Sequence, residues 1–171
     1  MRRGVTKLAR RRLRSQQTPA TERILLVGSS GGHLTQLARL EPWWRDHPRA
    51  WVTFDTPDAL NLLEDEYDLT WAYRPTTRNV PNLLRNTCQA MRTIRRFRPT
   101  TVVSTGAAVA LPYFVLARLT GRRTVYIEVF DRIETPTLTG RLVRPFTDLM
   151  LVQWPEQKAL YDDAIDIGPL L

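Results

Sequence analysis

The sequence predicts a doubly wound α/β domain built on a parallel sheet, and two observations lead there. From Arg23 onward, short β-branched runs alternate with helical segments, and no repeat or low-complexity linker separates them. That alternation is what strands joined by helical crossovers leave in a sequence. The chain has 171 residues, of which 43% are hydrophobic and 25% charged, enough for one such layer with a real core. A second full α/β domain of ~100–200 residues does not fit. Crossovers of this kind are right-handed, so the layer is Rossmann-like.

The elements follow in order. A first strand spans Ile24–Val27, and the glycine-rich turn behind it opens a helix over His33–Arg45. Strand Trp51–Phe54, helix Asp58–Glu66 and strand Leu69–Tyr73 come next. Helix Pro81–Phe97 has the clearest pattern, with Leu83, Thr87, Ala90, Met91, Ile94 and Phe97 on one face and Arg85, Arg92 and Arg96 on the other. The apolar face is expected in the core, and the cationic one in solvent or against anionic headgroups. Strand Thr101–Ser104, helix Ala107–Thr120, strand Thr124–Glu128, helix Leu138–Phe146, strand Leu149–Trp154 and helix Glu156–Tyr161 complete the layer.

Charge divides the chain into a basic tail, residues 1–22, and the folded domain, residues 23–171. Arg2, Arg3, Lys7, Arg10, Arg11, Arg12 and Arg14 supply +7 of the formal net charge of +8. Such a tail is either a solvated solubilising segment or a loose electrostatic contact with an anionic membrane. Nucleic acid is a weaker expectation, because no base- or strand-reading motif follows the arginines. The longest apolar run, Ala107–Ala117, is 11 residues long and interrupted by Pro112, short of the ~20 a spanning helix needs. The single cysteine, Cys88, permits no internal disulfide, and a reducing compartment is the simpler expectation.

Ligands of doubly wound sheets bind beyond the carboxyl ends of the strands, so the loops there are the candidates. Gly28-Ser29-Ser30-Gly31-Gly32-His33 follows the first strand, and its backbone N–H groups at a helix start suit a phosphate or another anion. Ser104-Thr105-Gly106-Ala107-Ala108 is small enough to let a ligand approach the backbone. Glu128-Val129-Phe130-Asp131-Arg132 ends an apolar strand in a carboxylate. Asp55 ends the second strand where a ribose-binding acid would stand, yet Ser30 and His33 occupy two glycine positions of the dinucleotide fingerprint, which speaks against nicotinamide or flavin. His33 and His47 lack metal-ligand spacing, and no G-x-S-x-G is present. His33 is either a capping residue or a proton carrier, and Glu128 either an ion-pair partner of Arg132 or Arg123 or a general base. Asp131 and Arg132 are equally readable as a plain surface pair.

Three stretches, VGSSGGHL from Val27, RPTTVVSTG from Arg98 and YIE from Tyr126, with RIETPTLTGRLVRPFTDLMLVQWPEQKAL from Arg132, resemble the acceptor-side subunit of two-part glycosyltransferases. That group includes the PssD-type exopolysaccharide proteins of bacteria and the eukaryotic subunit that helps add the second N-acetylglucosamine to dolichol diphosphate. The resemblance covers residues 23–171. It implies the N-terminal half of a GT-B fold, similar to the acceptor domain of MurG. It further implies a donor-binding catalytic subunit as a separate chain, a lipid diphosphate-linked sugar as acceptor and no cofactor. On this reading Gly28, Ser29, Ser30, Gly31, Gly32, Thr105, Gly106 and Arg132 face the acceptor and its phosphates, while His33 or Glu128 is the general base. Val129 stands where relatives commonly have serine, and Asp162 where many have proline. With an arginine-rich tail in place of the eukaryotic transmembrane helix, a bacterial protein held peripherally at the cytoplasmic face of the cell membrane is expected. Two alternatives stay open: an anchor that only recruits its catalytic partner, and a self-contained nucleotide-binding enzyme.

Overall fold

A computed structural model describes residues 22–170; the arginines of the tail lie outside the described residues. Seven parallel strands, β1 (Ile24–Val27), β2 (Arg49–Thr53), β3 (Leu69–Trp71), β4 (Thr101–Ser104), β5 (Arg123–Ile127), β6 (Leu149–Val152) and β7 (Ile165–Asp166), form one sheet in the order β3-β2-β1-β4-β5-β6-β7. The sheet confirms the Rossmann-like expectation. Its strand order reverses between β1 and β4, whose registers pair Ile24 with Thr101 and Val27 with Ser104. The loops leaving those two strands therefore meet at the switch point.

Helices α1 (Gly32–Arg39), α2 (Glu41–Trp44) and α3 (Pro57–Leu62) cover one face of the sheet. Helices α4 (Val80–Phe97), α5 (Ala110–Leu119) and α6 (Leu138–Val143) cover the other. Ile24, Leu26, Trp51 and Val103 point toward Leu34 and Leu37, whereas Leu25, Val27 and Val102 point toward Ile94, Phe97 and Phe114. Burial on both faces explains why these strands read as unbroken apolar runs. Over β4–β6, on the α1 side, Val103, Val125, Ile127, Leu149 and Leu151 line an apolar groove of about 440 Å³.

Several boundaries differ from expectation for local reasons. The helix predicted over His33–Arg45 breaks at Leu40, because Pro42 has no N–H and is tolerated only in a new first turn. Helix α5 begins at Ala110, not Ala107, since Ala107 turns through φ 66°; Pro112 then falls in the first turn, where no donor is needed. Pro145 ends α6 at Val143 and tightens Arg144–Phe146 into a 3₁₀ turn, and Pro155–Leu160 is 3₁₀ rather than α. The short edge strand β7 was not anticipated.

The buried face of α4 is rotated from the predicted one. Asn82, Asn86, Ala90, Thr93, Ile94 and Phe97 are buried, while Leu83 is exposed. Polar bonds decide it: Asn86 accepts from Tyr73 N–H and donates to Tyr73 C=O, both at 2.9 Å, and Asn82 donates to Pro75 C=O at 2.9 Å. These amides hold the segment behind β3, and Val80, Leu83 and Leu84 turn outward as a result. A second amide network centres on buried Gln153. Its Nε2 donates to Gln36 Oε1 of α1 at 2.7 Å and to Glu128 C=O at 2.9 Å, and its Oε1 accepts from Leu170 N–H at 2.9 Å.

Candidate functional site

The glycine turn, the loop after β4 and the first turn of α6 converge on one cleft. Its volume is about 980 Å³, and its lining includes Ser29, His33, Arg78, Leu83, Ala107 and Leu138. Gly31 (φ 74°) makes the turn that launches α1, and its N–H is held by Asp58 Oδ2 at 2.8 Å. That N–H therefore faces a carboxylate of the chain itself. Gly28 lies close against α1, since a Cβ there would stand 3.1 Å from Leu37 Cδ1.

His33 is fixed from behind by Thr105. The Thr105 carbonyl accepts from His33 Nδ1 at 2.9 Å, and the Thr105 hydroxyl donates to the His33 carbonyl at 2.8 Å. A carbonyl only accepts, so the proton sits on Nδ1 and Nε2 carries the free lone pair. Burial pushes the imidazole below its ordinary 6.5; the bond to the Thr105 carbonyl and the charges of Asp131 and Glu128 oppose that shift. Neutral His33 is therefore the resting form at pH 7. Gly106 is required beside it: its φ is 128°, and a Cβ would stand 2.7 Å from His33 Cε1.

Glu128 does not enter the cleft. It is fully buried, and its partners are neither Arg132 nor Arg123. Its Oε1 accepts from Val129 N–H at 3.1 Å and from the Thr137 hydroxyl at 3.0 Å. Its Oε2 accepts from Thr137 N–H at 3.3 Å and from the Tyr161 hydroxyl. Burial and this carboxylate push the Tyr161 phenol upward, so it stays a donor.

Of the loop residues the sequence singled out, Ser29, His33, Ala107 and Ala108 reach the cleft, and Thr105 and Gly106 are buried behind His33. Arg132 is not among the residues lining this cleft: it lies with Asp131, Ile133 and Glu134 around a separate exposed hollow, and no described ion pair joins it to Asp131. Sequence reasoning missed the cleft walls formed by Thr76–Val80 and by Leu138, Thr139 and Leu142. For the second wall the signal was Thr137, whose hydroxyl accepts from Gly140 N–H at 2.9 Å as a helix cap. Among the described residues no cluster of three or more His, Cys, Asp or Glu side chains is placed to hold a metal, and no helix is long and apolar enough to cross a membrane.

Comparison with known proteins places this geometry. Human "UDP-N-acetylglucosamine transferase subunit ALG14" is 28% identical over 178 residues, which cover 86% of this chain and 82% of the relative. The subunit of that name from Schizosaccharomyces pombe is 40% identical over 55 residues, covering 31% of this chain and 26% of the relative. Among solved structures, Acinetobacter baumannii MurG superposes with a TM-score of 0.65 at 18% identity, over 79% of this chain and 42% of its own. A UDP-GlcNAc 2-epimerase from Neisseria meningitidis bound to UDP-GlcNAc gives 0.67 at 12% identity, over 85% of this chain and 46% of its own. The chain thus spans less than half of either solved protein, and both share its fold. The family described as "Oligosaccharide biosynthesis protein Alg14 like" matches residues 74–170. The match takes in both walls of the cleft, the Glu128 network and more than half of the sequence, and the chain belongs to the Alg14-like family.

Proposed function

We propose that this protein is the acceptor-side subunit of a two-chain UDP-sugar glycosyltransferase, of N-acetylglucosaminyltransferase type, acting on a lipid diphosphate-linked sugar at a membrane surface. The observation that carries the reading is His33, held on the wall of a 980 Å³ cleft with its Nε2 lone pair free. An acceptor hydroxyl oxygen attacks the anomeric carbon of the donor, its proton passes to His33 Nε2, and the bond from that carbon to the UDP oxygen breaks, with the electron pair leaving on UDP. The donor half belongs to a second chain. Relatives named as subunits, solved proteins of the same fold nearly twice this length, and the open apolar groove over β4–β6 support that division.

Membrane association has its own support. Val80, Leu138 and Leu142 are exposed around the cleft beside Arg78 and Arg141, an apolar rim set among cations. The tail adds seven cations, each worth about 1 kcal/mol near an anionic surface. Vesicles containing phosphatidylserine should therefore sediment the chain at low salt. Binding should fade as salt rises and screening shortens to ~3 Å at 1 M, and deletion of residues 1–17 should weaken it. Binding that ignores both salt and the tail would point to apolar insertion alone.

The deciding experiment is co-expression with a short chain that supplies the carboxyl half of a GT-B fold, followed by transfer from UDP-N-acetylglucosamine to a lipid diphosphate acceptor. Transfer should require both chains. Calorimetry of this chain alone should detect weak or no UDP-sugar binding; tight binding and turnover by the isolated chain would overturn the two-chain reading.

A further inference from the structure

We propose that Glu128 is a positioning residue: its buried carboxylate holds Thr137, and through Thr137 the first turn of α6, where Leu138, Thr139 and Leu142 wall the cleft that His33 also lines. This rests on the acceptor-side reading given above. A general base must come within ~2.6–3.2 Å of the proton it takes, and Glu128 has no exposed surface. Four donors already occupy its two oxygens. Those donors come from both ends of an exposed loop: Val129 N–H opens it, and Thr137 closes it with its hydroxyl and its N–H.

Thr137 is the joint of the arrangement. Its hydroxyl donates to Glu128, which leaves its lone pairs for the Gly140 N–H at 2.9 Å and the Tyr126 hydroxyl at 3.1 Å. Capping α6 and binding the carboxylate are thus one event. Tyr126 extends the network toward His33, because a Cβ on Gly106 would stand 3.3 Å from its hydroxyl and 2.7 Å from His33 Cε1. The space is closed as well: a Cβ on Gly140 would meet Tyr161 Oη at 2.5 Å and Glu128 Oε2 at 2.6 Å. The carboxylate acts on the substrate only through the wall it holds.

Thr137→Val and Glu128→Gln in the two-chain enzyme separate the two roles. Positioning predicts that both raise the KM for the lipid acceptor about tenfold, the worth of one hydrogen bond to a charged group. The kcat should stay within a few-fold, the acidic limb set by His33 should be unchanged, and Thr137→Ser, which keeps the hydroxyl, should restore the wild-type KM. A base at Glu128 predicts instead a 10²–10⁴-fold fall in kcat for Glu128→Gln, with Thr137→Val behaving as wild type; that result overturns the proposal. Hydrogen exchange of the purified chain supplies a readout independent of turnover. Thr137→Val should accelerate exchange across residues 138–143 while β1 and β4 stay protected, and unchanged protection of α6 would equally overturn it. An absence of transfer in the wild-type pair would count against the acceptor-side reading, and the exchange result would still decide whether Glu128 and Thr137 hold α6.

Discussion

Replacing His33 with alanine should lower the kcat of the two-chain enzyme by about 10²–10⁴-fold, the usual cost of a lost general base. Folding should be spared, because the side chain is only half-buried and its backbone carbonyl still accepts from the Thr105 hydroxyl. The pH profile adds a signed test. Burial lowers the imidazole below 6.5, and the working form is the neutral one, so the rate should fall as pH drops through a midpoint lying below 6.5. His33→Ala should abolish that limb and leave a flat, low rate. Stability follows the same sign. The unfolded chain takes up the proton first, so the wild type should lose stability relative to His33→Ala as pH falls below about 6.5, and the two should keep a constant difference above it. A variant with near-normal kcat, or one that retains the acidic limb, would remove His33 from proton transfer.

Gly140→Ala should have the largest effect on stability, and its sign is informative. In an unconstrained helix the change would stabilise by roughly 0.8–1.0 kcal/mol. Here the new methyl would meet the Tyr161 hydroxyl, the Glu128 carboxylate and, at 3.0 Å, Thr137 Oγ1. None of the three can withdraw without surrendering a buried hydrogen bond. Overpacking of this kind costs about 1–3 kcal/mol, and a thermal melt should register a fall of several degrees, at ~2–4 °C per kcal/mol for a chain of this size. Gly32→Ala is the control. It opens α1 with nothing within 4 Å of its Cβ position, so its melt should be unchanged or slightly higher. A Gly140→Ala protein that melts above wild type would mean that the space around Glu128 is not closed.

Where side chains are buried on both faces, the sequence spoke plainly. Ile24–Val27 and Thr101–Ser104 read as strands to the residue, because a central parallel strand buried on both faces leaves a run of apolar and β-branched residues with no charge in it. The turn before His33 was legible for a similar reason, since only glycine accommodates its φ at position 31. Helix α4 was misread where its core face is polar: periodicity searches for apolar residues, and Asn82, Asn86 and Thr93 are buried for their hydrogen bonds. Glu128 was misplaced on a different ground. A carboxylate at a strand end looks like a ligand contact until its partners are known, and Thr137 and Tyr161 stand 9 and 33 residues further along the chain. Two-residue β7 leaves no period to detect.

The bond between Gln36 and Gln153 bears on how the protein is made. It joins side chains 117 residues apart, so the first helix reaches its final hydrogen bonding only when Gln153 has emerged. At ~5–20 residues per second that interval lasts on the order of ten seconds. During it β1 also waits for β4, its neighbour at the centre of the sheet. A nascent chain stalled before Gln153 would hold Gln36 without its partner amide, and one stalled before Thr101 would also expose the apolar edge of β1, the kind of surface that chaperones recognise. The final seating of α1 should therefore come late, after β1, β2 and β4 have paired.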